Sequence, residues 1–117
     1  MATKVINLIE DFGSRPYGRY QSEVQRGEED NTGERFRKEF LEPALRNNEK
    51  VKVNLSGYNR YARSFIDEAF GGLISSGAFT LDDLSAHLVV EHLTLPSIET
   101  LVWDRIKIAE EARKELG

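Results

Sequence analysis

The stretch of residues 51–74 constrains the fold most, because strand, turn and helix patterns follow one another in it directly. Its first residues alternate between apolar and polar, as a half-buried strand requires, with apolar positions at Val51, Val53 and Leu55. Ser56-Gly57 is typical of the turn that ends such a strand. The later apolar residues share one helical stripe: Phe65, Ala69, Phe70, Leu73 and Ile74. The sequence therefore predicts a strand over 51–55 and a helix over 64–76 that packs on the sheet.

Ser64 and Asp67 form the pattern of a helix start. A serine hydroxyl can accept a hydrogen bond from a first-turn amide, and a carboxylate three residues later can reach back to complete a capping box. We therefore expect Ser64 to be the N-cap of this helix and Asp67 to be its capping-box partner. Glu68 projects about 100° away from Asp67 on a helix. The two carboxylates are thus expected to complement the helix dipole rather than to share a site.

The same stretch resembles the central motif of STAS domains, the family of bacterial anti-sigma-factor antagonists. The resemblance rests on a strand ending Leu55-Ser56-Gly57, a short turn, and a serine at the start of a helix. The residues 64–71, Ser-Phe-Ile-Asp-Glu-Ala-Phe-Gly, are more similar to a STAS-like branch without an assigned function. Members of the better-known branch carry Asp-Ser-Ser-Gly-Leu at the turn, where residues 62–66 here read Ala-Arg-Ser-Phe-Ile. The resemblance is strongest over 50–74 and extends from Gly33 to about residue 112.

This resemblance implies a non-enzymatic module for regulation or protein interaction. It implies a protein partner of the ATP-binding serine-kinase kind or a similar regulator. It also implies control by phosphorylation of the serine at the helix start, which is Ser64 in this chain. The expected interaction surface is the turn with the first helical residues, namely Tyr58, Arg60, Tyr61, Arg63, Asp67 and Glu68.

The remaining patterns predict an α/β fold. Strands are expected over 4–9 and 87–91, and helices over 34–47, 81–86 and 96–115, with capping residues at Thr32 and in Thr80-Leu-Asp-Asp83. Pro43 predicts a kink or a break near Glu42, because proline lacks an amide hydrogen. Segment 17–24 is a candidate further strand. Together these elements predict a small mixed sheet of three or four strands packed against helices, with a right-handed crossover between strands 51–55 and 87–91.

Composition narrows the classes of function. A chain of 117 residues that is 39% hydrophobic can form one domain over 1–117. Its formal net charge of −4 argues against nucleic acid or an anionic membrane as a partner, because those affinities depend on positive charge. The absence of cysteine excludes thiolate chemistry. No apolar run approaches the roughly 20 residues of a membrane span, so we expect a cytoplasmic protein.

We expect neither a cofactor nor a metal. His87 and His92 flank a predicted strand, and their spacing places them on opposite faces, so they are poor joint ligands.

Two alternative functions remain open. Four arginines lie in tyrosine-rich segments whose composition suits phosphate contact and base stacking: Arg15, Arg19, Arg60 and Arg63. If the two segments meet at the end of a strand, where open α/β sheets bind ligands, they predict an anion site for a nucleotide or nucleic acid. Alternatively, Asp67 or Glu68 serves as a general acid or base in a small enzyme.

Overall fold

The three strands in the described part of the chain form one parallel sheet. In the computed structural model, residues 3–14, 16–20, 22, 31–48 and 50–116 are described, without the side chain of Leu116. The strands are β1 (Thr3–Asn7), β2 (Lys50–Asn54) and β3 (Leu88–Glu91). They are ordered β1-β2-β3, and both neighbouring pairs are parallel. The expected mixed sheet is therefore wrong for the described part of the chain, whereas the α/β class is confirmed.

Four helices connect and follow the strands. Helix α1 covers 33–47 as Gly33–Phe36, a π-helical turn at Arg37–Leu41, and Glu42–Asn47. Helix α2 covers 63–75 as Arg63–Ile66, a π-helical turn at Asp67–Gly71, and Gly72–Ser75. Helices α3 (Leu81–His87) and α4 (Pro96–Leu116) complete the chain. No helix among these described residues is long and apolar enough to cross a membrane.

Two predicted features of the chain path differ from the structure. Strand β1 ends at Asn7, and the next residues form a short π-helical turn, Leu8–Phe12. The break predicted near Glu42 is not observed, because helical geometry continues through Pro43. The helix is irregular directly before that position, where the π-helical turn Arg37–Leu41 ends, and such turns are a common site of local irregularity within a helix.

The candidate strand over 17–24 is also not observed where it is described. Residues 17–20 form no strand, and of the remainder only Ser22 is within the described residues.

One face of the sheet is buried beneath the helices. Alternate strand residues on that face are buried, including Ile6, Val53 and Val90. On the opposite face, Val5 and Val89 are 47% and 43% exposed, and Lys52 Nζ lies 3.1 Å from Glu91 Oε2. Parallel sheets are usually covered on both faces. Within the described residues, helices cover only one face of this sheet.

Helix α2 is the centre of the helical layer. Its apolar stripe is fully buried, as predicted from residues 51–74, and it packs against both α1 and α4. The crossing with α1 is close: a Cβ added to Gly33 would lie 2.5 Å from the carbonyl oxygen of Phe65. Phe36 and Phe65 stack near this crossing, with ring centroids 6.2 Å apart. The core of the domain is therefore built around α2, which places the first turn of α2 at the carboxyl edge of the sheet.

Candidate functional site

The β2–α2 loop, residues 55–62, leaves the carboxyl end of the central strand and leads into α2. Its ordering residue is Tyr61, whose hydroxyl donates to the carbonyl oxygen of Leu55 at 2.8 Å. Tyr58 packs edge-on against Tyr61, with ring centroids 5.0 Å apart. Burial raises the pKa of the Tyr61 phenol, and the charge of a Tyr58 phenolate would raise it further. Tyr61 therefore lies in the core rather than on an exposed surface, and it closes the loop.

His92 fastens a second loop to the first. This β3–α4 loop, residues 92–95, contains the buried His92 ring, whose Nδ1 lies 3.0 Å from the amide nitrogen of Leu95. Because an amide can only donate, Nδ1 accepts, and the ring hydrogen is on Nε2. Nε2 donates to the carbonyl oxygen of Tyr58 at 2.9 Å. The amide of Leu93 also donates to Ser56 Oγ at 2.9 Å. The two loops therefore form one fastened unit at the carboxyl edge of the sheet.

The first turn of α2 begins one residue earlier than predicted. Ala62 is the N-cap, with extended backbone geometry and no side-chain capping bond. The amide of Ile66 donates to the carbonyl oxygen of Ala62 at 3.2 Å, which places Arg63 and Ser64 inside the helix. The predicted N-cap role of Ser64 is therefore wrong. Ser64 is half-buried within the first turn, among the amide groups that point out of the helix start.

Asp67 binds two arginines instead of completing a capping box. Its Oδ2 lies 2.6 Å from Arg19 Nη1, and its Oδ1 lies 3.1 Å from Arg105 Nε. The hydrogen bond that Arg19 donates to Asp67 raises the pKa of the Arg19 guanidinium. The predicted capping box is therefore wrong, because the Asp67 carboxylate is directed to α4 and to the segment before α1.

Glu68 belongs to a buried ion network between α1 and α2. Its Oε2 accepts from Arg37 at 2.8 Å, and Arg37 also donates to Glu42 at 2.5 Å. Burial alone would lower the pKa of Arg37, but the hydrogen bonds that Arg37 donates to Glu68 and Glu42 outweigh it, and the pKa is raised. A Cβ added to Gly72 would lie 2.7 Å from Arg37 Nε, so glycine leaves room for the guanidinium. Glu68 is therefore buried and is not part of an exposed surface.

The sequence reasoning missed Arg37, Glu42 and Arg105. Their one local signal is the Gly71-Gly72 pair, because a glycine inside a helical pattern indicates that another group approaches the backbone closely. Helix periodicity identifies faces, but it does not identify which distant charges meet across them.

The residues that remain exposed at this edge are cationic, polar and apolar. Asn59, Arg60 and Arg63 are exposed on the first loop and the helix start, and Thr94 is exposed on the second loop. Leu93 is 73% exposed. Of the four predicted anion-binding arginines, Arg15 lies outside the described residues and Arg19 is paired with Asp67. No group of three or more His, Asp or Glu side chains in the described ranges is placed to hold a metal ion.

The parallel sheet with helices over one face forms an α/β domain, and a serine lies in the first turn of the helix that follows the central strand, as the STAS-like resemblance implies. Residues 32–97 match the model of a family described as STAS-like domain of unknown function (DUF4325). The match covers more than half of the chain, so the protein belongs to this family, and the resemblance predicted from residues 50–74 is confirmed. No curated protein and no solved structure matches the sequence.

Proposed function

We propose that the protein is a non-enzymatic interaction module that docks a partner protein at the carboxyl edge of its sheet. The docking surface consists of Asn59, Arg60, Arg63, Leu93 and Thr94. The observation that carries the proposal is an exposed leucine, 73% accessible, on a loop that is hydrogen-bonded to the loop bearing Arg60. Arginine and large apolar side chains are the residues that protein interfaces use most effectively. Because hydrogen bonds already hold the two loops in place, the surface also loses little conformational entropy on binding.

The groups that could perform chemistry near this surface are already bonded within the fold. Asp67 is paired with Arg19 and Arg105, and Glu68 is paired with Arg37. Both nitrogens of the His92 ring and the hydroxyl of Tyr61 are engaged with backbone groups. A general acid or base must instead be within reach of a substrate proton. These contacts support a binding role over the alternative of a carboxylate enzyme, and the Arg19–Asp67 pair weakens the alternative of an anion site.

Control by phosphorylation of Ser64 is part of this proposal. A phosphoryl group on Ser64 would stand in the first turn of α2, where the helix dipole stabilises negative charge. Arg63 is adjacent, and Asp67, one turn on, is neutralised by two arginines and opposes the added charge little. The phosphoryl group would bring roughly −1.5 to −2 charges to a cationic surface. We therefore expect phosphorylation to weaken the docking of a partner that complements Arg60 and Arg63.

The partner class follows from the STAS-like character of the fold. We propose an ATP-binding serine kinase or a similar regulator, because such a protein both docks and modifies a serine at a helix start. The pair would act in the cytoplasm, where ATP is available.

Affinity capture with matched variants tests this proposal. The parent protein, the double variant Arg60→Glu/Arg63→Glu, and the control Lys107→Glu serve as baits in an extract of the native cells. Lys107 is an exposed cation on α4. We expect a partner that the parent and the control retain and the double variant loses. A partner retained equally by all three baits, or catalytic turnover of a small molecule that Asp67→Asn abolishes, would contradict the proposal.

A further inference from the structure

A groove of about 830 Å³ runs between strand β1 and helix α1, away from the docking surface. One side of the groove is the strand segment Lys4–Asn7. The other side is an apolar wall on α1 formed by Phe40, Pro43 and Ala44, with Asp11 and Glu39 among the polar lining residues. The groove therefore combines a strand edge, an apolar wall and carboxylates.

The strand side of the groove presents unpaired backbone groups. Strand β1 is the edge strand of the sheet and is paired only with β2 in the described residues. The amide of Asn7 donates to Asp11 Oδ2 at 2.8 Å, so this amide points away from β2. Because amide directions alternate along a strand, the amide of Val5 points to the same side. An unpaired edge of this kind is a template for a further strand.

The helical layer is wider than the sheet beneath it. Helix α2 packs against both α1 and α4, so three helices lie side by side over three strands. Helices pack at about 8–10 Å and strands at about 4.8 Å, so the helix axes span roughly 16–20 Å while the strands span roughly 10 Å. The groove lined by β1 and α1 is the space that this difference in width leaves, and it has room for an added strand. A second copy that paired its own β1 edge antiparallel to this one would bring its own α1 into the same space.

We propose that this groove binds an extended segment of another protein, which adds to β1 as a fourth strand. Such strand addition takes its affinity from main-chain hydrogen bonds and its specificity from alternate side chains. The side chains that face α1 would be an apolar residue against Phe40, Pro43 and Ala44, and a lysine or arginine against Asp11, because Glu39 is already paired with Arg35 at 3.2 Å. The apolar and the basic residue of the bound segment lie two positions apart, because side chains on one face of a strand repeat with that period. This inference does not depend on the proposed docking surface.

A defined peptide provides the test. The probe is an acetylated and amidated peptide with the sequence of residues 3–9, Thr-Lys-Val-Ile-Asn-Leu-Ile, which carries Lys and Ile two positions apart and has no helical layer. In an antiparallel arrangement its Lys lies towards Asp11 and its Ile towards the apolar wall. We expect NMR shift changes on titration to cluster at Lys4–Asn7 and at Glu39–Ala44. They should leave Arg60 and Leu93 unchanged.

Three variants sharpen the test. Val5→Pro removes the outward amide without removing a β1–β2 hydrogen bond and should weaken peptide binding about tenfold, whereas Val5→Thr keeps the amide and should bind as the parent does. Asp11→Asn keeps an acceptor for the Asn7 amide but removes a charge. This variant should bind the peptide severalfold more weakly than the parent does. Its affinity for a control peptide in which norleucine replaces the lysine should equal that of the parent.

Three outcomes would overturn the inference. The first is the absence of shift changes up to about 1 mM peptide, the affinity range of a weak contact. The second is equal binding by Val5→Pro and Val5→Thr when circular dichroism shows both folded. The third is sedimentation of the unliganded protein as a dimer that Val5→Pro dissociates, because a second copy would then be the occupant. None of these outcomes affects the capture experiment at Arg60 and Arg63.

Discussion

Ser64 shows how a shift of two residues in the N-cap position changes the role of a side chain. As an N-cap its hydroxyl would satisfy a first-turn amide, but Ala62 occupies that position and Ser64 lies inside α2. Ser64→Ala should therefore change the free energy of unfolding by less than about 0.5 kcal/mol, rather than by the cost of about 1 kcal/mol expected for a lost cap. Urea denaturation of the parent and the variant measures this difference. A loss near 1 kcal/mol would show that Ser64 is the cap after all.

The affinity for the partner shows whether a charge at Ser64 controls docking, apart from any effect of Ser64 on stability. Ser64→Ala should bind the captured partner as the parent does, because it adds no charge to the docking surface. Ser64→Asp places a charge in the first helical turn, where the dipole tolerates it, and should weaken binding. Titration calorimetry with the captured partner compares the three proteins. Equal affinities of all three would remove Ser64 from the control of docking.

Phe70 tests the assignment of the core. Its side chain is fully buried on α2, as the helical periodicity predicts. Phe70→Ala should cost roughly 3–5 kcal/mol, because it removes apolar burial and leaves a cavity. The control is Leu93→Ala, which truncates an exposed side chain and should change stability by less than about 0.5 kcal/mol. Denaturant unfolding of both variants provides the comparison, and similar midpoints would contradict the described core.

At the scale of single residues, the sequence predicts what depends on local spacing. The buried positions of α2 follow from periodicity, and Phe65 and Phe70 are indeed buried. The partners of Asp67 and Glu68 could not be predicted, since Arg105 and Arg37 lie 38 and 31 residues away along the chain. A charged residue in a helical pattern is predicted to face solvent unless the helices packed against it, and their charges, are known.

Among the helices and strands, the α1–α2 crossing depends on Gly33. An added Cβ would lie 2.5 Å from a backbone oxygen and 3.1 Å from a backbone nitrogen, and backbone atoms cannot move aside cheaply. Gly33→Ala should therefore cost about 1–3 kcal/mol by separating the helices. Gly13→Ala is the control, because the nearest atom to its added Cβ is 3.6 Å away. Thermal unfolding should show a large loss of stability for Gly33→Ala and a small change for Gly13→Ala. Equal losses for the two variants would exclude a tight crossing.

Helix α3 is capped from a distant helix as well as locally. Glu110 on α4 accepts from the amide of Leu81 at 2.6 Å, and Arg113 also donates to this carboxylate. The hydrogen bond from Arg113, then that from Leu81, lowers the pKa of Glu110. Because the pKa of Glu110 is lower in the folded protein than in the unfolded chain, its ionised carboxylate stabilises the fold. This stabilisation is fully present above the ordinary glutamate pKa of about 4.3 and is lost as the pH falls through the pKa of the folded state. Glu110→Gln should thus be less stable than the parent at neutral pH, and the difference should shrink below about pH 4.

Denaturation of both proteins across this pH range measures that effect. A difference in stability that stays constant from neutral to acidic pH would show that the charge of Glu110 contributes nothing.

Local capping patterns succeeded where the helix start matched the pattern. Thr80 and Asp83 form the predicted capping box, with both reciprocal hydrogen bonds present, and Thr32 accepts from the amide of Arg35. The same reasoning failed at Ser64, because Ala62 takes the extended backbone geometry that a cap requires. The end of strand β1 was likewise predicted two residues too late, since the apolar run continues into the π-helical turn Leu8–Phe12. A pattern therefore predicts that an element exists better than where it begins or ends.

For the whole molecule, the sequence predicts the α/β class but not the type of sheet. Alternation of strand and helix patterns indicates the class, and the three strands at 3–7, 50–54 and 88–91 were all predicted. A further strand was expected over segment 17–24, yet residues 17–19 form backbone hydrogen bonds with Asn31, Gly33 and Glu34 around the start of α1 instead. Strand direction depends on crossovers and partners, which spacing within a segment does not specify.

Hydrogen exchange on the complex with the captured partner tests the central claim most directly. If docking occurs at the carboxyl edge of the sheet, amide protection on binding should fall on residues 57–66 and 92–95. The β1 edge and the outer side of α4 should exchange as in the free protein. Protection confined to other segments, with residues 57–66 and 92–95 unchanged, would contradict docking at this surface.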